Sequence, residues 1–274
     1  MPTTQRVIAV NRLLARLPAS DRRRFLAGCE NVDLEFAEVL YQPGAPLGHV
    51  YFPTSSFISL IMPVDATASL EVGLVGNEGM FGSPLALGVD ASPVRAVVQG
   101  GGVALRMSAA AFRRELAGSP ALHRVIDRYV FVHLCQLAQT AACTRFHLVE
   151  ARLARWLLMT QDRAHSDNFH VTQEFLALML GVRRVGVTKA AGSLLRRKLI
   201  DYRRGNVTVM DRRGLKGASC GCYKADCEAY DRILGSPIPN RVLPGLSGGE
   251  RTKQRDPVAR APENAAATAV NPAT

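Results

Sequence analysis

Residues 172–200 read TQEFLALMLGVRRVGVTKAAGSLLRRKLI. Apolar residues recur at three- and four-residue spacing on both sides of Gly181, so the stretch predicts two helices joined by a tight turn. Thr172 is a capping residue followed by Gln173 and Glu174 in the first turn. Gly181 stands where the turn between two such helices needs a left-handed backbone. Phe175, Leu176, Leu178, Met179, Leu180, Val182, Val187, Ala190, Leu194 and Leu195 then form the expected buried seam. Arg183, Arg184, Val185, Thr188 and Lys189 are left facing outward near the start of the second helix. That is the arrangement in which a helix-turn-helix offers side chains to a major groove. An arginine fork matches the two acceptors on the guanine edge, which makes Arg184 the best candidate base reader, and valine can touch a thymine methyl.

The neighbouring sequence agrees with this reading. HLVEARLARWLLMTQDR, residues 147–163, has helical spacing, and DYRRGNVTVMDRRGL, residues 201–215, holds two β runs around ArgGlyAsn. Helix, helix, turn, helix and hairpin in that order describe a winged helix. Arg203 and Arg204 fall at the wing. Together with Arg196, Arg197 and Lys198 they are candidates for phosphate contacts. Arg196, Arg197 and Lys198 could equally complement the helix dipole.

Charge is divided along the chain. The net charge is +11. Between Asp33 and Arg106 seven acids face only Arg95 and Arg106, whereas from Thr144 to Lys216 fifteen basic residues outnumber six acids. A basic module joined to an acidic one fits a polyanion partner for the second alone, although a generally basic soluble protein has the same composition.

Upstream the texture is different. VIAVNRLLARL and DRRRFLAGC, with Ser20 as a cap, predict two short leading helices. From residue 31 to about 107 the runs VDLEFAEVLY, HVYFP, SFISLIM, SLEVGLV, VRAVVQ and GVALRM alternate with the turn signals QPGAP, PVDAT, VGNEG and VQGGG. Short strands punctuated by Gly and Pro indicate a β-sandwich or β-barrel module. Ser108 caps AAAFRRELAG, and after Ser119 and Pro120 a long helix runs from Ala121 to Cys143 with a broad apolar stripe. Such a helix is either a buried core element or the seam of a homodimer, and its length favours the dimer. From residue 235 the chain is rich in Pro, Gly, Ala and polar residues without periodicity, which predicts a disordered tail.

The span from about Phe25 to Tyr223 resembles bacterial transcription regulators of the Crp/Fnr superfamily. The resemblance is carried by YQPGAPLGHVYFPTSSFISLI, GLVGNEGMFGSPLALG and the winged-helix stretch from Thr172 to Leu215. It implies an α+β protein divided into four parts. These are a cyclic-nucleotide-binding-like β-roll with N-terminal helices over 1–118, a dimerisation helix over 119–146, a winged helix-turn-helix over 147–223 and the tail over 235–274. It also implies that Arg183, Arg184, Val185, Thr188 and Lys189, with Thr172, Arg203 and Arg204, meet duplex DNA, and that RNA polymerase is a further partner. An acidic residue common in relatives is replaced by Val185, so the best-known operator of the family is not expected.

For an effector, the corresponding residues are Gly82, Ser83 and Arg95. Relatives that bind cyclic nucleotides offer a carboxylate in an FGE-like tripeptide and a hydroxyl after a later arginine. This chain has Phe81–Gly82–Ser83 and Arg95–Ala96. Control by cyclic AMP is therefore not expected, a cyclic-nucleotide-responsive regulator or a ligand-binding module being the alternative.

No cofactor and no metal ligands are expected. Only Cys29 lies near the N-terminus, where oxygen-sensing relatives hold an iron–sulfur cluster. Cys220, Cys222 and Cys227 lie close together, but no fourth ligand stands at a recognisable spacing, so free thiols are expected. His123, His133, His147, His165 and His170 are scattered, and the β region holds His49 alone. With no converging base and nucleophile an enzyme is not expected, a cupin-type one included. The lack of a long apolar run or a signal-peptide pattern leads us to expect a cytoplasmic protein without membrane contact.

Overall fold

The computed structural model describes residues 10–65 and 68–235; the expected tail, apart from Gly235, lies outside them. The chain is α+β. Seven antiparallel strands form two facing sheets. One has the order β1 (Glu30–Leu34), β7 (Gly102–Ser108), β3 (His49–Pro53). The other has the order β2 (Val39–Tyr41), β6 (Arg95–Gly100), β4 (Phe57–Pro63), β5 (Ser69–Val75). The run VDLEFAEVLY supplies strands to both sheets, because Ala37 adopts a left-handed φ of 67° and breaks it between β1 and β2.

Helix α1 (Ala19–Ala27) follows Pro18, so Ser20 lies inside the first turn and is not its cap. The leading helix expected over VIAVNRLLARL is replaced, among the described residues, by a single 3-10 turn over Leu14–Arg16. Asn11 explains the difference. Its side-chain oxygen accepts from Leu13 N and Leu14 N at 3.1 Å, and its amide donates to Pro53 O and Gly79 O at 2.9 Å. A side chain that captures backbone groups in this way competes with a continuing helix.

Ser108 caps α2 (Ala109–Gly118), and Ser119 caps α3 (Pro120–Phe146), a helix of 27 residues. Its apolar stripe divides in two. Leu122, Ile126, Tyr129 and Val132 are buried against the roll, in a core shared with Phe52, Ile58, Val98 and Phe112. Phe131 and Leu134 are 55% and 57% exposed, and Ala138 and Ala141 are exposed on the same three-four spacing.

The winged helix comprises α4 (Val149–Ala164), β8 (Asn168–His170), α5 (Gln173–Leu180), α6 (Arg184–Arg196), β9 (Ile200–Arg203) and β10 (Asn206–Val209), with the small sheet ordered β8-β10-β9. Two further helices follow, α7 (Arg212–Ala218) and α8 (Cys222–Leu234). The latter packs along α3 and returns to the roll, where Tyr230 Oη donates to Glu78 O at 2.7 Å.

The roll and the winged helix share a buried contact. Glu71 on β5 accepts from Ser59 Oγ at 2.5 Å and from Trp156 Nε1 on α4 at 2.8 Å. Burial pushes its carboxyl up to about 7, against those two hydrogen bonds and the positive charges of Arg163 and Arg155. A carboxyl raised in the folded state stabilises most below its unfolded pKa and loses that contribution as pH rises to the folded value. The stability of the unaltered chain relative to Glu71→Gln should thus fall as pH rises between about 4.5 and about 7. Melting curves of the two proteins across that range, read through the emission of Trp156, the single tryptophan, test this; parallel curves would contradict it.

Candidate nucleic-acid interface

Helix α6 is held by its buried stripe. Val187, Ala190, Ala191 and Leu194 pack into a core with Leu153 and Leu157 of α4 and with Leu199, Ile200 and Val207 of the wing. Truncating Leu194 of this stripe to Ala would cost ~2–5 kcal/mol. Helical geometry then sends Arg184, Val185, Thr188 and Lys189 to the opposite side, where all four are exposed.

Gly181 ends α5 with φ of 60°, and its N–H closes the turn. A Cβ there would be strained by the left-handed backbone and would lie a tight 3.1 Å from Leu70 Cδ1 on β5, so the position favours glycine. Thr172 caps α5, its Oγ1 accepting from Phe175 N at 3.1 Å. Leu178, expected in the seam, is 39% exposed, because the seam is made from the face that carries Leu176, Met179 and Leu180.

The wing turn places Arg204 and Gly205 at φ values of 51° and 81° between β9 and β10. Both central residues are thus left-handed, as a tight two-residue hairpin requires. Arg203 and Arg204 are exposed there. Thr172, Gln173, Glu174, Arg184, Tyr202 and Arg204 surround one hollow of about 340 Å3 between the start of α5, the start of α6 and the wing. Of the sequence-predicted residues, Thr172, Arg184 and Arg204 line this hollow together, whereas Arg183, Val185, Thr188, Lys189 and Arg203 do not.

Two polar contacts organise this face. Arg184 pairs with Glu174 at 2.8 Å, both side chains being well exposed. Thr188 Oγ1 donates to Gln173 Oε1 at 2.7 Å. An exposed ion pair is worth ~0.2–1 kcal/mol. A bidentate arginine–guanine contact discriminates by ~1–3 kcal/mol. Because the base contact is the stronger of the two, Arg184 can leave Glu174 for a guanine at small cost.

Not all the basic charge of this region faces outward. Arg152, Arg155 and Arg163 are buried. Arg155 pairs with Asp226 at 2.7 Å and Arg163 with Glu78 at 2.7 Å, while Arg152 donates to Leu180 O. Arg212 is held by Asp162 at 2.5 Å. Pulling apart a buried pair costs ~3–5 kcal/mol, so Arg155 and Arg163 are structural; Arg152 is occupied by a backbone carbonyl and the Arg212 pair is partly exposed. Arg197 is also engaged, with Glu150 at 2.8 Å.

The three effector candidates do not converge. Gly82 and Ser83 line a cavity of about 190 Å3 between the roll and α3, together with Leu60, Met80, Val130 and Leu137. Arg95 points elsewhere, exposed, its Nε donating to Gln42 Oε1 at 3.0 Å. Val94, just before β6, lines the cavity, whereas Arg95, the first residue of the strand, does not. No Lys, Arg, Asp or Glu is among the lining residues. Burial holds the imidazole of His133, on the wall, below its ordinary pKa.

The six cysteines are free thiols, and three of them gather with a histidine. Cys220 and Cys222 meet Cys143 and His147 from the end of α3, whereas Cys227 is exposed and outside the group. Missing this follows from distance along the chain. Cys143 and His147 stand one helical turn apart, a visible signal, but nothing in the sequence joins them to residues 220 and 222.

Residues 151–218 match the model of the Crp-like helix-turn-helix domain. Solved structures similar to the chain include the c-di-GMP-responsive global regulator CLP of Xanthomonas campestris, at 20% identity and TM-score 0.59 over 70% of this chain and 99% of that one. FixK2 of Bradyrhizobium japonicum has TM-score 0.59 at 12% identity, covering 70% and 98%. A transcriptional regulator of the CRP/FNR family from Thermus thermophilus has TM-score 0.58 at 21% identity, covering 69% and 98%. No curated protein matches the chain in sequence. The fold is that of these solved regulators, and residues 151–218 are similar to the Crp-like helix-turn-helix domain. Within this chain, α4 to α7 are the Crp-like domain that the family model describes.

Replacing Arg184 by Ala should relax discrimination at one base step by about 1–3 kcal/mol, while Arg203→Ala should weaken binding to all sequences alike. Competition binding with specific and random duplexes separates the two, and equal losses on both duplexes for both variants would overturn the assigned roles.

Proposed function

We propose that this chain is a cytoplasmic transcription regulator that binds a palindromic DNA operator as a homodimer. The observation that carries the reading is the outward face of α6, with Arg183, Arg184, Val185, Thr188 and Lys189 beside the wing residues Arg203 and Arg204. Arg184 and Val185 would read bases. Lys189, Arg203 and Arg204 would meet phosphates, with Thr172 at the edge of the contact. The parts 1–118, 119–146 and 147–223 would serve as sensor or scaffold, dimer seam and DNA reader.

Support for the dimer comes from Phe131, Leu134, Ala138 and Ala141, an exposed apolar stripe with the spacing of a two-helix seam. Two-fold symmetry then sets half-sites about 34 Å apart, one turn of the duplex. RNA polymerase is the partner through which such a regulator would act. No helix among the described residues is long and apolar enough to cross a membrane.

Control by cyclic AMP is not part of this proposal. An apolar cavity without a guanidinium cannot compensate the charge of a cyclic phosphate taken out of water. The same argument applies to cyclic di-GMP, to which CLP responds by its name. A small apolar effector, or none, fits the cavity better. Catalysis plays no part.

In vitro selection of duplex DNA on the full chain should enrich one palindrome whether or not cyclic AMP is present, with an affinity that falls steeply with salt. Enrichment only with the nucleotide would contradict the reading of Ser83 and Ala96, and binding of the nucleotide without any enrichment would favour a ligand-binding module. Phe131→Asp combined with Leu134→Asp should convert the dimer to a monomer by sedimentation while leaving the far-ultraviolet circular dichroism intact; an unchanged dimer would remove α3 as the seam.

A further inference from the structure

The last turn of α3 and the turn between α7 and α8 bring four metal-ligating side chains to one point. Cys143 lies inside α3 and His147 is its C-cap residue, one turn further on. Cys220 lies between α7 and α8, and Cys222 opens α8. Cys143 Sγ and Cys220 Sγ are 3.5 Å apart, and Cys222 Sγ and His147 Nδ1 are 3.5 Å apart. One donor atom from each of the four lies within 4.8 Å of the other three.

The two 3.5 Å separations are close to the edges of a small coordination tetrahedron, and the rest lie within 4.8 Å, near enough to close on one ion. With zinc–sulfur bonds of about 2.3 Å and zinc–nitrogen bonds of about 2.0–2.1 Å, the edges are about 3.6–3.8 Å. A polynuclear iron–sulfur cluster would hold its cysteine sulfurs wider apart, because bridged irons lie between them. Three soft sulfurs and one imidazole are also the donor set of closed structural zinc sites, whereas hard cations take oxygen ligands.

The surroundings suit a metal–thiolate centre. Three thiolates around a dication leave roughly one negative charge. Arg155 and Arg152 lie close enough to act on the Cys143 and Cys220 sulfurs, and Arg155 is buried and fixed by Asp226 at 2.7 Å. Gln139 Nε2 donates to Cys222 Sγ at 3.0 Å, an outer contact of the kind that orients metal ligands. All three cysteines are buried, while His147 stays exposed and leaves a route for entry. Among the described residues, Ala151 is the one partly buried apolar side chain grouped with the three buried cysteines.

We propose that Cys143, His147, Cys220 and Cys222 bind one tetrahedral zinc ion that clamps the end of α3 to the α7–α8 turn. The ion would tie together two segments that meet where the long helix gives way to the winged helix: the end of α3, with Cys143 and His147, and the turn that starts α8, with Cys220 and Cys222. It touches none of the residues assigned to DNA. Its role is to hold the joint between the long helix and the DNA reader.

The test is metal analysis of the full chain, grown with zinc and purified under reducing conditions. The unaltered protein and Cys227→Ser should retain about one zinc per chain after dialysis against a weak chelator, and Cys143→Ser combined with Cys220→Ser should retain less than about a tenth of that. Because the double variant could fail to fold, the unaltered chain is also stripped and titrated with Co2+. The expected result is the intense visible bands of tetrahedral cobalt with sulfur-to-metal charge transfer, abolished by Zn2+. Only trace zinc with a spectrum of hydrated cobalt, zinc retained by the double variant, or a Cys143–Cys220 disulfide in the isolated protein would each overturn the proposal.

Discussion

Val187, Ala190, Ala191 and Leu194 pack against α4 and the wing, and that single contact decides which side of α6 meets solvent. Once the stripe is buried, the α-helical period leaves Arg184, Val185, Thr188 and Lys189 on the far side. The left-handed residue at Gly181 sets the angle at which α6 leaves α5, and the left-handed pair Arg204 and Gly205 sets the reach of the wing. Position and direction of the polar face are thus consequences of apolar packing and of three backbone conformations.

Buried charge does a different task from exposed charge in this chain. Arg155, Arg163 and Arg212 are tied to Asp226, Glu78 and Asp162, and these pairs link α4 to α8, to the roll and to α7. Because a desolvated ion pair is costly to separate, the buried pairs of Arg155 and Arg163 fix how α8 and the roll sit against α4, and the partly exposed Arg212 pair adds a weaker tie to α7. Arg183, Lys189, Arg203 and Arg204 keep their solvent, which is what a surface that exchanges counterions for phosphates requires. The Cys143, His147, Cys220 and Cys222 group belongs with the first kind, at the far end of the same helix system.

The contact between roll and winged helix connects these parts. Glu71, Ser59 and Trp156 form a buried polar cluster beside Ile61 and Met179, so any rearrangement of β4 or β5 is felt by α4 and α5. The cavity that holds Gly82 and Ser83 reaches Leu60 and Val72 of the same two strands. A ligand there would therefore act on the element that touches the DNA reader, whatever its chemistry.

Much of this was legible in one dimension, for a physical reason. The two helices around Gly181, the capping residues Thr172 and Ser108, the hairpin at Arg204–Gly205 and the strand runs are local, set by period, cap chemistry and turn residues within a few positions. The sequence by itself determined these elements and, through them, the face of α6. What only the tertiary structure decided involves residues far apart in the chain. Asn11 turned an expected helix into a short turn by bonding to Pro53 and Gly79. Arg152, Arg155 and Arg163 were drawn inward by partners 28, 71 and 85 residues away. Arg95 turned away from the cavity of Gly82 and Ser83, and Cys143 and His147 met Cys220 and Cys222 across the fold. Composition and spacing carry no record of such meetings, because they depend on which surfaces pack after the local elements have formed.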